Sequence, residues 1–201
     1  MCALGAVVLA AGASERFGGD NKLLATIDGE PLIRRVVRTV LDSGVAELVV
    51  VCGYEEDRIM EAVEGLAVRR ACNRDWRLGM GTSVAAGIAA LRPDLEGAFV
   101  VPGDMPYLTR SLLVRLASAF NENGRSAPVF PVTASGDQRN PVLWPRQYYP
   151  RLTALSGDQG GKQLLLQLAS SAVAVPANHD GELVDLDEID DLLAVRKLET
   201  E

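Results

Sequence analysis

Histidine, cysteine and long apolar runs are scarce in this sequence, and each scarcity argues against a class of function. Histidine occurs once, as His179 in the polar stretch ANHDGE, so a histidine-based triad or metal cluster has little support, and we expect a solvated loop residue. Cys2, Cys52 and Cys72 form no C-x-x-C pair, which argues against a disulfide framework and a zinc site. Three unpaired thiols favour a reducing compartment, and we expect a cytoplasmic protein.

The chain also lacks a membrane-spanning run and an excess of positive charge. No apolar stretch approaches the ~18 residues that a membrane span needs. The opening MCALGAVVLAAGA has no basic start and continues into a polar loop, so we expect a strand there and not a signal segment. Lys and Arg number 20 against 27 Asp and Glu, a net charge of −7. Nucleic acid and anionic membranes bind basic surfaces, so neither is expected as a partner.

The 201 residues alternate between short apolar runs and helical patterns up to about residue 120. Continuous apolar strands separated by helices predict a parallel sheet covered on both faces, within one α/β domain over residues 1–201. We therefore expect a three-layer, doubly wound, mostly parallel sheet with a less regular second half. The predicted strands are Gly5–Ala10, Glu47–Gly53, 66–71, Gly97–Pro106 (which ends in a turn), 127–132, 140–144 and 172–176. The predicted helices are 30–44, 55–65, Gly81–Leu91, 109–120 (capped by Thr109), 160–170 and 188–199.

A glycine-rich loop follows the first strand, in VVLAAGASERFGGDNKLL. It fits neither the G-x-G-x-x-G pattern of dinucleotide-dependent oxidoreductases nor the P-loop pattern. Its small residues, 11–13, let backbone N–H groups approach phosphate oxygens closely, and Arg16 and Lys22 supply positive charge. The sequence predicts a phosphate-binding loop; the alternative is a surface turn with solvated Arg and Lys.

A second unusual segment, VVPGDMP, places Asp104 directly after a predicted strand. Ligands of open parallel sheets bind beyond the carboxyl ends of the strands, so Asp104 should face the same crevice as the glycine-rich loop. A carboxylate there is a natural ligand for Mg²⁺ beside substrate phosphates, although Asp also stabilises turns. Together the two segments indicate phosphoryl chemistry on a nucleotide, driven by positioning and charge neutralisation.

Several segments together resemble one family. LAAGASERFGGDNKLL is similar to the L-A-[AG]-G-x-S-x-R-[MF]-G-x-x-K signature of the molybdenum cofactor nucleotidyltransferases, and GDMPYLT resembles their metal-binding strand end. CNRDWRLGMGTSVAAGI and RNPVLWPRQYYPRLTALSGDQGGKQLL resemble blocks of the MocA-like branch. The resemblance runs from Gly5 to about Leu192.

The resemblance implies a reaction in which an acceptor phosphate attacks the α-phosphorus of a nucleoside triphosphate and releases pyrophosphate. It implies a nucleotide-binding half over about residues 1–120 and an acceptor-side half over about 121–201. Lys22, Arg16 and Asp104 would be catalytic, and Asp104 would hold Mg²⁺, with Asp185 and Asp187 as further ligands or simply helix-cap residues. The implied nucleotide-binding residues are Leu9, Ala10, Ala11, Gly12, Ser14, Arg16, Lys22, Asn73, Gly79 and Ser83.

The same resemblance bears on the substrates. An opening L-A-A-G, with Ala11, goes with cytidine transfer in the family, and L-A-G-G goes with guanosine transfer, so CTP is expected over GTP. Asn140 replaces the usual His of the G-H-P-V block on the acceptor side, and DLDEIDD lacks the family's Thr-Pro. The leading hypothesis is transfer of CMP from CTP to molybdopterin. The alternatives are a GTP- or sugar-phosphate-using transferase and a non-catalytic cofactor carrier for a molybdenum hydroxylase apoenzyme.

Overall fold

A computed structural model describes residues 3–14 and 21–186, and nine strands and six helices lie within them. The strands are β1 (Leu4–Ala10), β2 (Thr26–Ile27), β3 (Glu30–Pro31), β4 (Glu47–Cys52), β5 (Arg69–Cys72), β6 (Gly97–Pro102), β7 (Val129–Val132), β8 (Val142–Pro145) and β9 (Val173–Pro176). The helices are α1 (Leu32–Asp42), α2 (Glu56–Ala62), α3 (Met80–Ala90), α4 (Arg110–Glu122), α5 (Tyr149–Leu152) and α6 (Lys162–Gln167). Short 3₁₀ turns connect several of them.

Seven strands of the described residues form one sheet in the order β5-β4-β1-β6-β8-β7-β9. The central strand β1 pairs in parallel with β4 and β6, and the register places Val7 between Val49 and Val100. The β8 strand runs antiparallel to both β6 and β7, while β9 pairs in parallel with β7. The predicted α/β fold with a mostly parallel sheet is confirmed.

Helices cover both faces of the sheet and bury two separate apolar clusters. On one face, α1, α2 and α4 pack through side chains such as Ile33, Ile59 and Leu113, all fully buried. Each such side chain contributes roughly 1.5–3 kcal/mol to stability when it leaves water. On the other face, α3 lies so close to the sheet that a Cβ atom at Gly87 would lie 2.2 Å from Val7 Cγ1. The small residues of α3 therefore allow its close packing on β1 and β4.

The ends of two helices follow the sequence signals. The Thr109 side chain accepts a hydrogen bond from the Leu112 N–H at 3.1 Å and caps α4. Pro31 immediately precedes α1, and Gly44 follows it with a φ of +86°, a conformation that favours glycine. These predicted helix boundaries are confirmed.

Other elements were not predicted. Asp28 and Gly29 form a tight turn, with φ of +52° and +78°, that joins the small hairpin of β2 and β3. Such Asp-Gly turns match the twist of paired strands.

The predicted helix at 188–199 lies outside the described residues. No helix of the described part is long and apolar enough to cross a membrane.

Candidate active site

The site begins where β1 and β6, neighbours in the sheet, reach their carboxyl ends. The Gly103 N–H donates a hydrogen bond of 3.0 Å to the Leu9 carbonyl oxygen, which ties the loop after β6 to the end of β1. A Cβ atom at Gly103 would lie 2.7 Å from that oxygen, so only glycine allows this approach without a backbone shift. The fold thus brings Asp104 next to the glycine-rich loop, as predicted.

Lys22 and Asp104 form an ion pair at this edge. The Lys22 Nζ lies 2.6 Å from Asp104 Oδ2, and the two side chains are 16% and 17% exposed. Lys22 opens a 3₁₀ turn that Asn21 caps, because the Asn21 Oδ1 accepts the Leu23 N–H at 3.1 Å. The Lys22 ammonium also donates to the Leu186 carbonyl oxygen at 2.6 Å. Residues far apart in the chain therefore hold this cation in one position.

The environment of Asp104 suits a divalent cation. Burial raises the pKa of the Asp104 carboxyl, the Lys22 ammonium opposes that rise, and the Asp185 carboxylate adds to it. Its Oδ1 atom is buried and has no hydrogen-bond partner among the described residues. A buried carboxylate oxygen without a partner is costly, and a cation would satisfy it. No cluster of three metal-ligating side chains forms within residues 3–14 and 21–186, and the predicted ligand Asp187 lies outside them.

A cavity of about 390 Å³ opens in front of the ion pair. A Cβ atom at Gly12 would meet nothing within 4 Å, so the loop leaves open space there. Ser14 has a φ of +52°, a strained conformation for a non-glycine residue that is typical of functional loops. The fold brings seven predicted site residues to this cavity: Leu9, Ala11, Gly12, Ser14, Lys22, Ser83 and Asp104.

Three other residues that were predicted to bind the nucleotide do not line the cavity, and Arg16 lies outside the described residues. Ala10 is buried within β1. Asn73 is buried behind the wall, where its Nδ2 donates to Thr82 Oγ1 and Ser83 Oγ, each at 2.9 Å. Gly79, with a φ of +112°, packs so tightly that a Cβ would lie 2.3 Å from the Gly157 carbonyl carbon. Asn73 and Gly79 thus shape the wall that presents Ser83; their contact with a nucleotide stays a prediction.

Trp76 and Met80 line the cavity and were not predicted. The Trp76 ring covers Gly53, where a Cβ would lie 2.8 Å from the indole, and the Arg77 guanidinium lies 4.3 Å from its ring centroid. The Tyr54 ring packs at 5.7 Å. The sequence signal that could have identified Trp76 is a lone aromatic residue in the polar segment CNRDWRLGMG, because such residues often form binding surfaces.

A second cavity of about 330 Å³ continues from the first and shares Leu9, Met80 and Pro102 with it. Arg139 and Lys162 line it, and neither forms an ion pair within the described part of the chain. Asp158, Trp144, Asn140 and Asp185 also lie there. The site therefore has two adjoining compartments, and the Lys22–Asp104 pair lines the first of them.

A larger, open depression on α1 lies away from this chemistry. It measures about 990 Å³ and is lined by Arg34, Arg35, Arg38 and His179. Its guanidinium groups are engaged by carboxylates and by backbone carbonyls, so they do not form a free anion site. His179 is exposed, which confirms the expectation of a solvated residue.

Comparison with known proteins agrees with this geometry. The family model of the MobA-like NTP transferase domain matches residues 6–173. The bifunctional protein GlmU of Mycolicibacterium smegmatis is 35% identical over 134 residues, which cover 63% of this chain but 28% of that protein. The chain thus spans less than a third of the length of such curated relatives.

Two solved structures are similar over almost their whole length. The homolog of Mycobacterium tuberculosis Rv0371c from Mycobacterium sp. strain JC1 has a TM-score of 0.84 and 26% identity, covering 97% of this chain and 98% of that one. A nucleotidyl transferase from Methanothermobacter thermautotrophicus has a TM-score of 0.82 and 24% identity, with 99% of each chain covered, and shows likeness of fold. The family match over most of the chain, with the paired cavities at the strand ends, establishes that this protein belongs to the MobA-like NTP transferase family and is a nucleotidyltransferase.

Proposed function

We propose that the protein transfers CMP from CTP to a molybdopterin-type molybdenum cofactor in a Mg²⁺-dependent reaction. The observation that carries the proposal is the Lys22–Asp104 pair in a cavity beside the glycine-rich loop, which adjoins a second cavity lined by Arg139 and Lys162. In this reaction an oxygen of the acceptor phosphate forms a bond to the α-phosphorus. The bond between the α-phosphorus and its bridging oxygen breaks, and pyrophosphate leaves.

The residues of the first cavity would bind and orient the triphosphate. Backbone N–H groups of the loop around Gly12 donate to phosphate oxygens, and Arg16 and Lys22 add charge. Lys22 neutralises negative charge that develops on the phosphates, which is the main source of catalysis in phosphoryl transfer. The nucleotide phosphates would compete with Asp104 for this ammonium group.

Asp104 fits the role of the principal Mg²⁺ ligand, with Asp185 and Asp187 as further candidates. The support is its buried oxygen without a partner and the pKa that burial raises, since both make a nearby cation favourable. When bound, Mg²⁺ would supply charge neutralisation on the phosphates and orient them. Lys22 and the protein dipoles would hold the nucleotide in line with the acceptor.

The second cavity supports a phosphorylated acceptor. Arg139 and Lys162 have no carboxylate partner in the described residues, and a phosphate ester would provide one. Asn140, which replaces the family's usual His, also lies in this cavity and would contact the acceptor. Ala11 lines the first cavity, and its methyl group would influence the choice between CTP and GTP.

The test is pyrophosphate release with Mg²⁺ and molybdenum-loaded molybdopterin, using each of the four nucleoside triphosphates in turn. We expect CTP to be used in preference to the others and Asp104→Ala to lose turnover while retaining its fold by circular dichroism. Faster reaction with GTP would overturn the base assignment, and reaction with a sugar phosphate alone would overturn the acceptor.

A single turnover for each protein molecule would instead indicate a carrier that delivers the cofactor to a molybdenum hydroxylase apoenzyme. If catalysis is confirmed, the same apoenzyme is the proposed recipient of the product. Lys162→Ala provides the matched control for the acceptor cavity: it should raise KM for the acceptor and leave KM for CTP unchanged. Equal effects on both KM values would contradict the assignment of two compartments.

A further inference from the structure

The chain after β9 returns to the catalytic pair and contacts both of its members through a single residue. The Leu186 N–H donates to the Asp104 carbonyl oxygen at 2.9 Å, and the Leu186 carbonyl oxygen accepts from the Lys22 Nζ at 2.6 Å. The Leu186 side chain is fully buried in the same apolar cluster as α1 and α4. The backbone of Leu186 is thus built into the site.

Glu182, four residues earlier, is a buried carboxylate that neither the nucleotide nor the acceptor cavity contains. It is 2% exposed, and both of its oxygens are used. Oε1 accepts from the Thr109 hydroxyl at 2.6 Å, and Oε2 accepts from the Asn178 N–H at 3.1 Å. A buried carboxylate without such bonds would be strongly destabilising, so these contacts fix the segment that carries it.

The partner of Glu182 belongs to the loop that carries Asp104. Thr109 ends this loop and caps α4 through the Leu112 N–H. Glu182 therefore ties residues 178–186 to the Asp104 loop, and the Leu186 N–H ties the same two segments a second time. Between the two attachments lie only three residues, of which Leu183 is buried, so the Leu186 carbonyl has little freedom to move.

This restraint matters for Lys22 because a lysine side chain is flexible and loses rotamer entropy when it is held in place. Among the contacts of its ammonium group, Asp104 supplies one acceptor and Leu186, from a distant segment, supplies another. Acceptors from distant segments together define a direction for the Nζ, and a shift of the Leu186 carbonyl would change that direction.

We propose that Glu182 is a positioning residue that fixes the Leu186 carbonyl and thereby aims the Lys22 ammonium into the nucleotide cavity. Its loss removes the attachment to Thr109 and leaves the Leu186 N–H as the remaining backbone tie, so the Leu186 carbonyl can shift and Lys22 more often takes positions that do not face the phosphates. The contribution of Lys22 to the rate rests on the proposed function; its position in the resting protein does not.

A first experiment measures the position of Lys22 without any turnover. Acetic anhydride labels exposed lysines, and mass spectrometry compares Lys22 with the exposed Lys162. We expect Lys22 to be protected in the unaltered protein. In Glu182→Ala, loss of the Lys22–Leu186 hydrogen bond should raise the relative labelling of Lys22 about fivefold. Unchanged labelling of Lys22 in Glu182→Ala would overturn the proposal.

The conservative variant separates positioning from charge. In Glu182→Gln the amide oxygen can accept from Asn178, and the amide N–H can donate to the Thr109 hydroxyl oxygen, so both attachments persist. We expect this variant to retain the Lys22 protection of the original protein, and labelling as high as that of Glu182→Ala would contradict the positioning role.

Phe120→Leu controls for general destabilisation, because Phe120 packs at Gly97, the end of β6 opposite Asp104. It should lower the melting temperature and leave Lys22 labelling unchanged.

Kinetics provide the second readout. We expect Glu182→Ala to lower kcat on the order of tenfold with KM for the nucleotide little changed, since the lost contact acts on a charge that forms in the transition state. Glu182→Gln should restore kcat. A rise in KM alone would contradict the positioning role. If the unaltered protein turned over no substrate, the proposed function would fail, and the labelling experiment would still decide this inference.

Discussion

Substitution of Gly79 by Ala is a sharp test of how the cavity wall is built. Gly79 has φ +112° and ψ 170°, a backbone region that is open almost solely to glycine. A Cβ there would lie 2.3 Å from the Gly157 carbonyl carbon and 2.5 Å from the Asp158 nitrogen. The wall that carries Met80 and Ser83 would therefore have to separate from the segment around Gly157.

The structure gives the size of the effect. The backbone conformation costs an L-residue about 1–3 kcal/mol. Carbon atoms pack best at roughly 3.5–4.0 Å, so one side of the contact must move by about 1 Å, which adds on the order of 1–3 kcal/mol. The total of about 2–6 kcal/mol corresponds to a fall in melting temperature of roughly 4–24 °C for a chain of this size. A displacement of this kind at a site can lower the rate about 10²-fold.

Gly65→Ala is the matched control. Gly65 also has a positive φ, of +81°, but a Cβ there would meet nothing within 4 Å. We expect a loss of only about 1 kcal/mol from backbone strain, and unchanged turnover. Urea unfolding gives the free energies, and pyrophosphate release gives kcat/KM. Equal losses of stability and activity in the two variants would refute the argument, because they would show that the contact with Gly157 contributes nothing.

Three further predictions follow from the charged and thiol groups. Mg²⁺ at 100 times its Kd should stabilise the protein by about 2.7 kcal/mol. Thermal shift should show no such stabilisation in Asp104→Asn. An equal shift in that variant would contradict the assignment of Asp104 as the Mg²⁺ ligand. Burial raises the pKa of Asp104 above its ordinary 3.8, so the folded state holds this proton more tightly than the unfolded state. The stability that the protonated carboxyl contributes is therefore lost as the pH rises through the raised pKa. On acidification, Mg²⁺ affinity should decline at pH values above 3.8, as thermal shift measured against pH would show. A constant affinity down to pH 3.8 would contradict the raised pKa. Burial raises the pKa of Cys52 to about 12, whereas exposed Cys72 has its pKa raised mainly by its hydrogen bond to Glu56. Iodoacetamide should modify Cys72 and spare Cys52, and peptide mass spectrometry would show the difference. The modification of Cys72 should be faster in Glu56→Gln. Rapid modification of Cys52 would mean that the strand end opens.

Local pattern and one topological rule were enough to predict the first half of the site. Apolar runs separated by amphipathic helices indicated the parallel sheet, since burial on both faces demands continuous apolar strands. Strand ends of a parallel sheet meet at one edge, which is why Gly12 and Asp104, some ninety positions apart by number, were expected together and do lie at one cavity. Lys22 was expected there too, because it follows the same loop.

The sequence did not reveal the reversed direction of β8, the support of Ser83 by Asn73, or the return of residues 178–186 to the site. The Lys22–Leu186 bond joins positions 164 residues apart, and the Glu182–Thr109 bond joins positions 73 apart. Hydrophobic periodicity reports only whether a segment has a buried side, and it carries no information on which distant segment covers that side. The sequence by itself determined the sheet, the glycine-rich loop and the acidic strand end; the packing of the second half against α4 decided what holds Lys22.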